Sequence, residues 1–375
     1  MIYLDSAATT LQKPASVARA AAQAMGHMAS PGRGGHKPAM LAAEVAFDCR
    51  QAAAELFHLD SPENVIFTLN ATHALNLAIK SMVKPGDTVV VSGYEHNAVT
   101  RPLHALGCQI RVARAPLFDR QAMLDAFDAL VTEEVACVIC THVSNVFGFI
   151  LPMEEIAELC RRRGVPLIVD ASQSAGTLAV HMDRWDCAFI AMPGHKGLYG
   201  PQGTGLLLCG QGRDTATLLE GGTGSVSAQQ DMPDFLPDRL EAGTHNVPGI
   251  AGLLEGIRYV KSRGEEAILH HEQALTQQTA EGLSRLPGVQ VFASGEPESQ
   301  AGVLSFTIEG MDCEEAGEWL GQRGIAVRAG LHCAPYAHET AGTLASGTIR
   351  ASFSAFNTPG EIKQFIYAVS SLLGQ

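Results

Sequence analysis

A lysine and an aspartate stand just beyond two successive apolar runs of this 375-residue chain. Lys196 lies in the glycine-rich stretch 193–197, directly after one run. Partial burial there would lower the pKa of its amine and make it a nucleophile able to form an imine. Asp170 ends the preceding run, where a carboxylate could cap a helix, bind magnesium or pair with a protonated pyridine nitrogen. If both runs are strands of one sheet, the two side chains face one pocket.

A candidate phosphate site lies at Thr68-Leu69-Asn70-Ala71-Thr72, where a strand-like run passes into a helix. Free backbone amides at a helix start, together with the Thr72 hydroxyl, suit a phosphate, although an ordinary N-cap is the simpler interpretation. The phosphate loop G-x-x-x-x-G-K-[ST] is absent, and the glycine-rich loops do not follow the dinucleotide pattern. ATP and NAD are therefore not expected.

Cys333 differs in its surroundings from the other eight cysteines, which we interpret as buried small hydrophobes. A glycine at 330, a histidine at 332 and a proline at 335 predict a loop, where a nearby cation would favour the thiolate. Cys137 and Cys140 form a C-x-x-C motif, but they lie inside an apolar run typical of a buried strand. No redox function is predicted for them, and no metal site is predicted in the chain.

The elements that must position these residues are indicated by hydrophobic patterning. Six short apolar or β-branched runs without alternation are typical of strands buried on both faces: 65–69, 88–92, 136–141, 166–170, 187–192 and 205–209. Amphipathic stretches at 39–57 and 152–163 predict helices. The pattern predicts an α/β domain with a mainly parallel sheet, which binds ligands beyond the carboxyl ends of its strands.

Beyond about residue 250 the pattern changes. Helices are predicted at 248–263, 265–286 and near 313–323, with a closing helix from 359, and strands at 289–292, 303–308, near 327 and 348–354. We therefore predict a smaller α+β domain at 251–375 that carries the Cys333 loop. A large domain at 14–250 precedes it, and residues 1–13 form a segment packed near the active site.

Composition excludes several classes of protein. A formal net charge of −13 argues against a nucleic-acid surface, which needs clustered lysine and arginine. No apolar run is long enough to predict a membrane span, and the N-terminus lacks an export signal. Nine cysteines without a spacing pattern then indicate reduced thiols and a cytoplasmic location.

Together these motifs resemble the class V aminotransferase-fold enzymes and, among them, the group II cysteine desulfurases. The resemblance runs from Tyr3-Leu4-Asp5-Ser6-Ala7-Ala8-Thr9-Thr10 to Arg350-Ala351-Ser352 and so covers nearly the whole chain. It implies the fold of pyridoxal-phosphate-dependent transferases, fold type I, which is similar to that of aspartate aminotransferase. It also implies pyridoxal 5'-phosphate as the cofactor and a homodimer.

The resemblance implies a role for each matching residue. Lys196 would hold the cofactor covalently, Asp170 would pair with its pyridine nitrogen, and His96 would stack on the ring and shuttle protons. The other implied cofactor contacts are Ala71, Thr72, Asn145, Gln173, His195 and, toward the neighbouring subunit, Thr244. Cys333 would be the catalytic cysteine. The implied substrate contacts are Arg350 as a carboxylate clamp, Arg328, His36 and Ala8.

The implied reaction converts L-cysteine to L-alanine and leaves a persulfide on Cys333, which passes to an acceptor. That acceptor could be a carrier protein for iron–sulfur cluster assembly, a tRNA-thiolation relay or a small thiol. Three alternatives stay open. A selenocysteine lyase would use the same scaffold, a transaminase or β-lyase would form no persulfide, and a cofactor-free scaffold would bind partners only.

Two departures from the family pattern concern the cofactor site. Relatives commonly have serine or threonine where this chain has Pro193, so one hydroxyl contact to the phosphate is missing. Many relatives also have two histidines in succession where this chain has only His96. We expect differently organised phosphate binding and a divergent subfamily.

Overall fold

The N-terminal part of the chain forms one short strand and two helices in a computed structural model that describes residues 1–31 and 34–374. Their bounds are β1 Ile2–Tyr3, α1 Ala15–His27 and α2 Lys37–Leu56. Helix α2 begins two residues before its predicted start because His36 caps it. The Ala39 amide donates to His36 Nδ1 at 3.4 Å, and Pro38 occupies the first turn, where its missing N–H costs nothing.

A seven-stranded sheet forms the centre of the fold. Its strands are β2 Val65–Thr68, β3 Thr88–Ser92, β4 Gln109–Ala113, β5 Val135–Thr141, β6 Leu167–Asp170, β7 Phe189–Pro193 and β8 Gly205–Cys209. Their order is β2-β8-β7-β6-β5-β3-β4, and β8 runs antiparallel to both of its neighbours, β2 and β7, whereas the other neighbouring pairs are parallel. The predicted α/β fold with a mainly parallel sheet is confirmed.

The strand missing from the sequence prediction is β4, at the edge of the sheet. It is exposed at Gln109, half-buried over the next three residues and fully buried only at Ala113. An edge strand that carries a glutamine and an arginine lacks the continuous apolar run by which the inner strands were recognised. The other six strands lie within two residues of their predicted bounds.

Helices cover both faces of the sheet: α3 Ala71–Met82, α4 Asn97–Ala105, α5 Arg120–Leu130, α6 Met153–Arg163 and α7 Met182–Trp185. Successive residues of a strand face opposite sides, so β5 contributes to two cores. Cys140 belongs to one hydrophobic core and Cys137 to the other, and both are buried. Burial raises the pKa of both thiols. The two side chains of the C-x-x-C motif therefore point to opposite faces of the sheet.

The C-terminal part has its own core. Its elements are α8 Val247–Arg263, α9 Glu265–Leu283, β9 Val289–Phe292, β10 Val303–Ile308, α10 Cys313–Gln322, β11 Ile325–Ala326, β12 Arg328–Gly330, α11 Pro335–Ala341, β13 Thr348–Ser352 and α12 Pro359–Leu373. Four strands form an antiparallel sheet in the order β12-β13-β10-β9, while β11 pairs in parallel with β1.

The long helix α8 packs against α1 and α2. The predicted domain boundary between residues 250 and 251 falls within this helix. Within the described residues, no helix is both long and apolar enough to cross a membrane.

Candidate active site

A cleft lies at the carboxyl ends of the parallel strands. Nine residues predicted for the site line it: Ala8, Ala71, Thr72, His96, Asn145, Asp170, Gln173, His195 and Lys196. Eight of them come together from distant parts of the chain because each lies at the end of a strand or just after it. Ala8 joins them because the N-terminal segment crosses the same edge of the sheet. Neighbouring parallel strands end at the same edge of a sheet, which is where α/β proteins bind ligands.

Lys196 and Asp170 form the charged centre of the cleft. Asp170 ends β6, which pairs in parallel with β7, and Lys196 follows β7 by three residues. Asp170 is buried, and its Oδ1 accepts the Ser172 amide at 2.9 Å. Burial lowers the pKa of Lys196 to about 8, against the opposing effect of the Asp170 charge. A substantial fraction of this amine is therefore neutral near pH 8, as a nucleophile requires.

His96 is held by the helix that it caps. The Ala98 amide donates to His96 Nδ1 at 3.0 Å at the start of α4. Burial lowers the pKa of His96 to about 4, although Asp170 opposes this shift. The ring is thus neutral at pH 7, and because Nδ1 accepts a hydrogen bond, Nε2 carries the proton. His96 presents a hydrogen-bond donor at Nε2 rather than a base.

The start of α3 forms the phosphate end of the cleft. Asn70 caps this helix by accepting the His73 amide at 2.9 Å. The amides of Ala71 and Thr72 belong to the first turn, where no intrahelical acceptor exists, and both residues line the cleft. Pro193 lines the cleft and offers no hydroxyl. Two free amides and the Thr72 hydroxyl at a helix N-terminus are suited to a phosphate.

His195 is tied to the N-terminal segment. Its Nδ1 lies 3.0 Å from Thr9 Oγ1, and its carbonyl accepts the Thr10 amide at 3.1 Å. Burial lowers the pKa of His195 to about 4, and the charges of Lys196 and Lys13 act in the same direction. The His195 ring is therefore neutral at pH 7.

The segment before α1 closes one side of the cleft through further hydrogen bonds. Gln173 Nε2 donates to the Ala7 carbonyl at 3.0 Å, and the Ala7 amide donates to Ser352 Oγ at 2.9 Å. Residues 7–10 thereby join the cleft to β13 of the C-terminal sheet.

Arg350 lies beside the cleft without lining it. Its side chain is 2% exposed, and its two terminal nitrogens donate to Asp5 Oδ1 at 2.8 Å and to the Asn145 carbonyl at 2.9 Å. The buried Nε has no hydrogen-bond partner among the described residues. Sequence reasoning missed Asp5 as the counter-ion of this arginine, although an acid inside an apolar N-terminal segment was a usable signal.

Cys333 is the exposed cysteine of the described chain, whereas Cys108 is half-buried and the others are buried. It lies between β12 and α11, and both His332 (φ 49°) and Cys333 (φ 56°) adopt the left-handed backbone conformation. Such conformations in non-glycine residues persist where the surroundings hold them.

Two hydrogen bonds hold the Cys333 loop against the cleft. The Asn97 amide donates to the Cys333 carbonyl at 2.7 Å, and Asn145 Nδ2 donates to the His332 carbonyl at 2.8 Å. Asn97 is the residue after His96, and Asn145 itself lines the cleft. The loop is thus fixed next to two cleft residues. Because Asn97 contributes through its backbone, no sequence signal could have identified it.

Besides Arg350 and Cys333, three further predicted residues do not line this chain's cleft. His36 caps α2 and is exposed, and Thr244 is exposed between β8 and α8. Arg328 is exposed on β12, opposite Arg350 in the register, yet its charge still lowers the pKa of Lys196.

The residues present fit pyridoxal phosphate. The cleft offers a buried carboxylate for a pyridine nitrogen, a lysine of lowered pKa for a carbonyl carbon and a helix start for a phosphate. His96 adds a neutral ring that could stack on the cofactor.

Comparison with known proteins gives a consistent result. The family model for aminotransferase class-V matches residues 2–365. A probable cysteine desulfurase of Methanothermobacter thermautotrophicus is 33% identical, over 96% of this chain and 92% of that protein. A probable cysteine desulfurase of Mycolicibacterium paratuberculosis is 34% identical over 98% of this chain. The present chain spans 55% of the length of that second relative.

Solved structures show the same fold. An apo cysteine desulfurase of Thermococcus onnurineus NA1 superposes with a TM-score of 0.91 at 30% identity, covering 100% of this chain and 94% of that one. A cysteine desulfurase of Escherichia coli gives a TM-score of 0.87 at 26% identity, covering 99% of this chain and 94% of that one.

Proposed function

We propose that this chain, which belongs to the aminotransferase class-V family and within it to the cysteine desulfurases, converts L-cysteine to L-alanine and transfers the sulfur through Cys333 to an acceptor. The observation that carries this proposal is the position of Cys333. It is an exposed thiol on a loop that hydrogen bonds hold beside the cleft of Lys196 and Asp170.

The cofactor of this proposal is pyridoxal phosphate, which supplies an electron sink for a negative charge at the substrate α-carbon. Lys196 Nζ would hold it covalently, and the Asp170 carboxylate would hold the pyridine nitrogen in its protonated form. The α3 amides at Ala71 and Thr72 would bind the phosphate, and His195 and Gln173 would contribute further polar contacts. His96 would stack on the ring.

Lys196 would have a second task whenever its amine is not bound to the cofactor. Its Nζ, with a pKa of about 8, would then accept the proton from the substrate α-carbon and later donate it to another atom of the reacting group. His96 Nε2 is a donor in the neutral ring, so it serves as a hydrogen-bond donor toward the reacting groups. Of these two residues, only Lys196 would therefore act as a base.

Arg350 would bind the substrate carboxylate, with Arg328 and Ala8 lining the same side. Since Asp5 already occupies one end of the guanidinium, the substrate carboxylate must share the arginine with Asp5 or displace it. The unpartnered Nε and the fixed orientation of the side chain support a bidentate clamp once Asp5 yields.

The sulfur-transfer step follows from the accessibility of Cys333. Its thiolate Sγ attacks the substrate sulfur, so that an S–S bond forms while the substrate C–S bond breaks. The bonding electron pair stays on the three-carbon fragment, which is protonated and released as alanine. Cys333 keeps the sulfur as a persulfide, and an exposed persulfide is open to a thiol of an acceptor protein or a small molecule.

The remaining parts of the proposal concern the neighbouring subunit, His36 and the location of the protein in the cell. Thr244, which is exposed and does not line its own cleft, would reach the phosphate of the neighbouring subunit in a homodimer, and His36 would act on the substrate side. The described cysteines are all unpaired, which supports a cytoplasmic location.

Replacement of Cys333 tests the proposal and separates it from selenocysteine lyase activity. Cys333→Ala should abolish alanine formation from cysteine while the cofactor stays bound, and the half-buried Cys108→Ala should leave the rate unchanged. Selenocysteine turnover that survives Cys333→Ala, together with slow cysteine turnover in the unmodified enzyme, would favour the lyase. Full cysteine turnover in Cys333→Ala would refute the proposed role.

A further inference from the structure

A second group of potential ligands lies outside the cleft, where the end of α2 meets α7. His58, His181 and Asp183 each offer one ligand atom there, and these atoms all lie within 4.8 Å of one another. The residues come from two segments more than a hundred positions apart. No motif connects them, and for that reason the sequence predicted no metal site.

The backbone holds the two histidines together. His58, two residues after the end of α2, adopts the left-handed conformation (φ 57°), which is uncommon outside glycine but which histidine adopts more often than most residues. The Met182 amide donates to the Phe57 carbonyl at 3.1 Å, which ties the end of α2 to the start of α7. The imidazole rings of His58 and His181 are stacked, with centroids 4.6 Å apart and an angle of 28° between the ring planes. The two rings are therefore neighbours before any ligand binds, and at least one of them must turn out of this stack to bind the same ion, because a metal lies in the plane of each imidazole that binds it.

His181 has an unmet requirement that a cation would satisfy. Its Nδ1 is buried and has no hydrogen-bond partner in the described part of the chain. The nearest carboxylate oxygen, Asp183 Oδ1, is 3.9 Å away, too far for a hydrogen bond. Buried polar atoms are nearly always paired, so an unpaired one requires an explanation such as an absent ion.

The donor set is compatible with a metal ion. Asp183 offers a carboxylate oxygen, and His58 and His181 each offer an imidazole nitrogen. Neutral imidazole is the form of histidine that binds metals.

We propose that His58, His181 and Asp183 bind a divalent transition-metal ion, for which Zn²⁺ is the best-suited candidate. Two imidazole nitrogens and one carboxylate oxygen are a donor set that zinc accepts, with bonds of about 2.0–2.2 Å and a water as the fourth ligand. Tetrahedral geometry at such bond lengths places ligand atoms roughly 3.3 Å apart, so the side chains close by about an ångström on binding. The ion links α2 to α7 and stabilises the folded chain without entering the cleft.

Zinc titration of the holoenzyme tests this site. An exposed thiol also binds zinc, so the titration with ZnCl₂ is performed in a Cys333→Ser background by isothermal calorimetry, with thermal unfolding measured in parallel. We expect one equivalent of Zn²⁺ to bind and to raise the unfolding temperature. His58→Asn and His181→Asn should each weaken binding at least tenfold and remove the thermal shift, and asparagine tolerates the left-handed backbone at 58.

Two further variants keep the result interpretable. His27→Asn changes an exposed histidine at the end of α1 and should leave zinc affinity unchanged. Asp183→Asn changes an exposed side chain, so the fold should persist while the affinity falls. The site is refuted if the parent binds no zinc, or if His58→Asn and Asp183→Asn bind it as the parent does. Alanine formation plays no part in this test, so its outcome is independent of the proposed desulfurase activity.

Discussion

Lys196 reaches the cleft from the buried edge of the large sheet, whereas Cys333 stands exposed on a loop that follows the small sheet. Burial shifts the pKa of Lys196 to about 8 and the pKa of the neighbouring His96 to about 4. Cys333 is instead distinguished by its exposure to solvent, because it is the exposed thiol of the described chain. One region isolates a reactive amine from water, and the other offers a sulfur atom to a partner.

This difference indicates how the two halves of the reaction are separated. Proton transfer at the α-carbon benefits from a desolvated amine of tuned pKa. Transfer of sulfur to an acceptor requires a group that the acceptor can reach from solvent. The two hydrogen bonds from Asn97 and Asn145 join the regions, because they hold the exposed loop beside the buried cleft.

Removal of the amine should have the largest effect. Lys196→Ala loses both covalent attachment of the cofactor and the base for the α-proton, so we expect the rate of alanine formation to fall by about 10³-fold or more. Borohydride reduction followed by peptide mapping should find no pyridoxyl group at position 196. Lys84→Ala, which changes an exposed lysine, is the control and should keep full activity. Activity near that of the unmodified enzyme in Lys196→Ala would show that the cleft is not the reacting region.

The carboxylate clamp should give the next largest effect. Arg350→Lys removes a planar guanidinium that a single ammonium does not replace, so the KM for cysteine should rise by about ten- to a hundredfold. Arg328→Lys, on the exposed side of the same strand pair, should change the KM by a smaller factor. Equal effects of the two substitutions would contradict the assignment of the clamp to the buried arginine.

The lowered pKa of Lys196 predicts how attachment of the cofactor depends on pH. Only the neutral amine reacts, so the rate of attachment to the apoenzyme should increase about tenfold per pH unit below the pKa and level off above pH 8. An unperturbed lysine would instead show a rate that rises until above pH 10. Stopped-flow absorbance after addition of pyridoxal phosphate measures this profile. A rate of attachment that continued to rise through pH 10 would show that burial does not lower the pKa of the Lys196 amine.

The smallest predicted effect concerns Pro193. Pro193→Ser introduces a hydroxyl at the phosphate end of the cleft, where a hydrogen bond to a charged group should tighten cofactor binding by about tenfold. The dissociation constant of pyridoxal phosphate, measured by fluorescence quenching, checks this. Unchanged or weaker binding would indicate that the α3 amides and His195 already supply all the hydrogen bonds that the phosphate can accept there.

The buried part of the molecule was more predictable than the connections between its parts. Inner strands such as β3 and β8 have continuous apolar runs, and Asp170 and Lys196 follow such runs directly, so patterning places them at one edge. The edge strand β4 lacked that pattern and was missed. The acid at Asp5 was a usable signal, but nothing in the sequence connected it with Arg350, and nothing indicated that the Asn97 amide holds the Cys333 loop. Both contacts join residues more than two hundred positions apart.

The most direct test of this account is intact-mass analysis after incubation with cysteine in the absence of an acceptor. We expect one additional sulfur atom per chain, mapped to Cys333, together with one equivalent of released alanine. Addition of a small thiol should then remove that sulfur. Alanine release without any sulfur on Cys333, or sulfur on Cys108 instead, would contradict the division of labour between the buried lysine and the exposed cysteine.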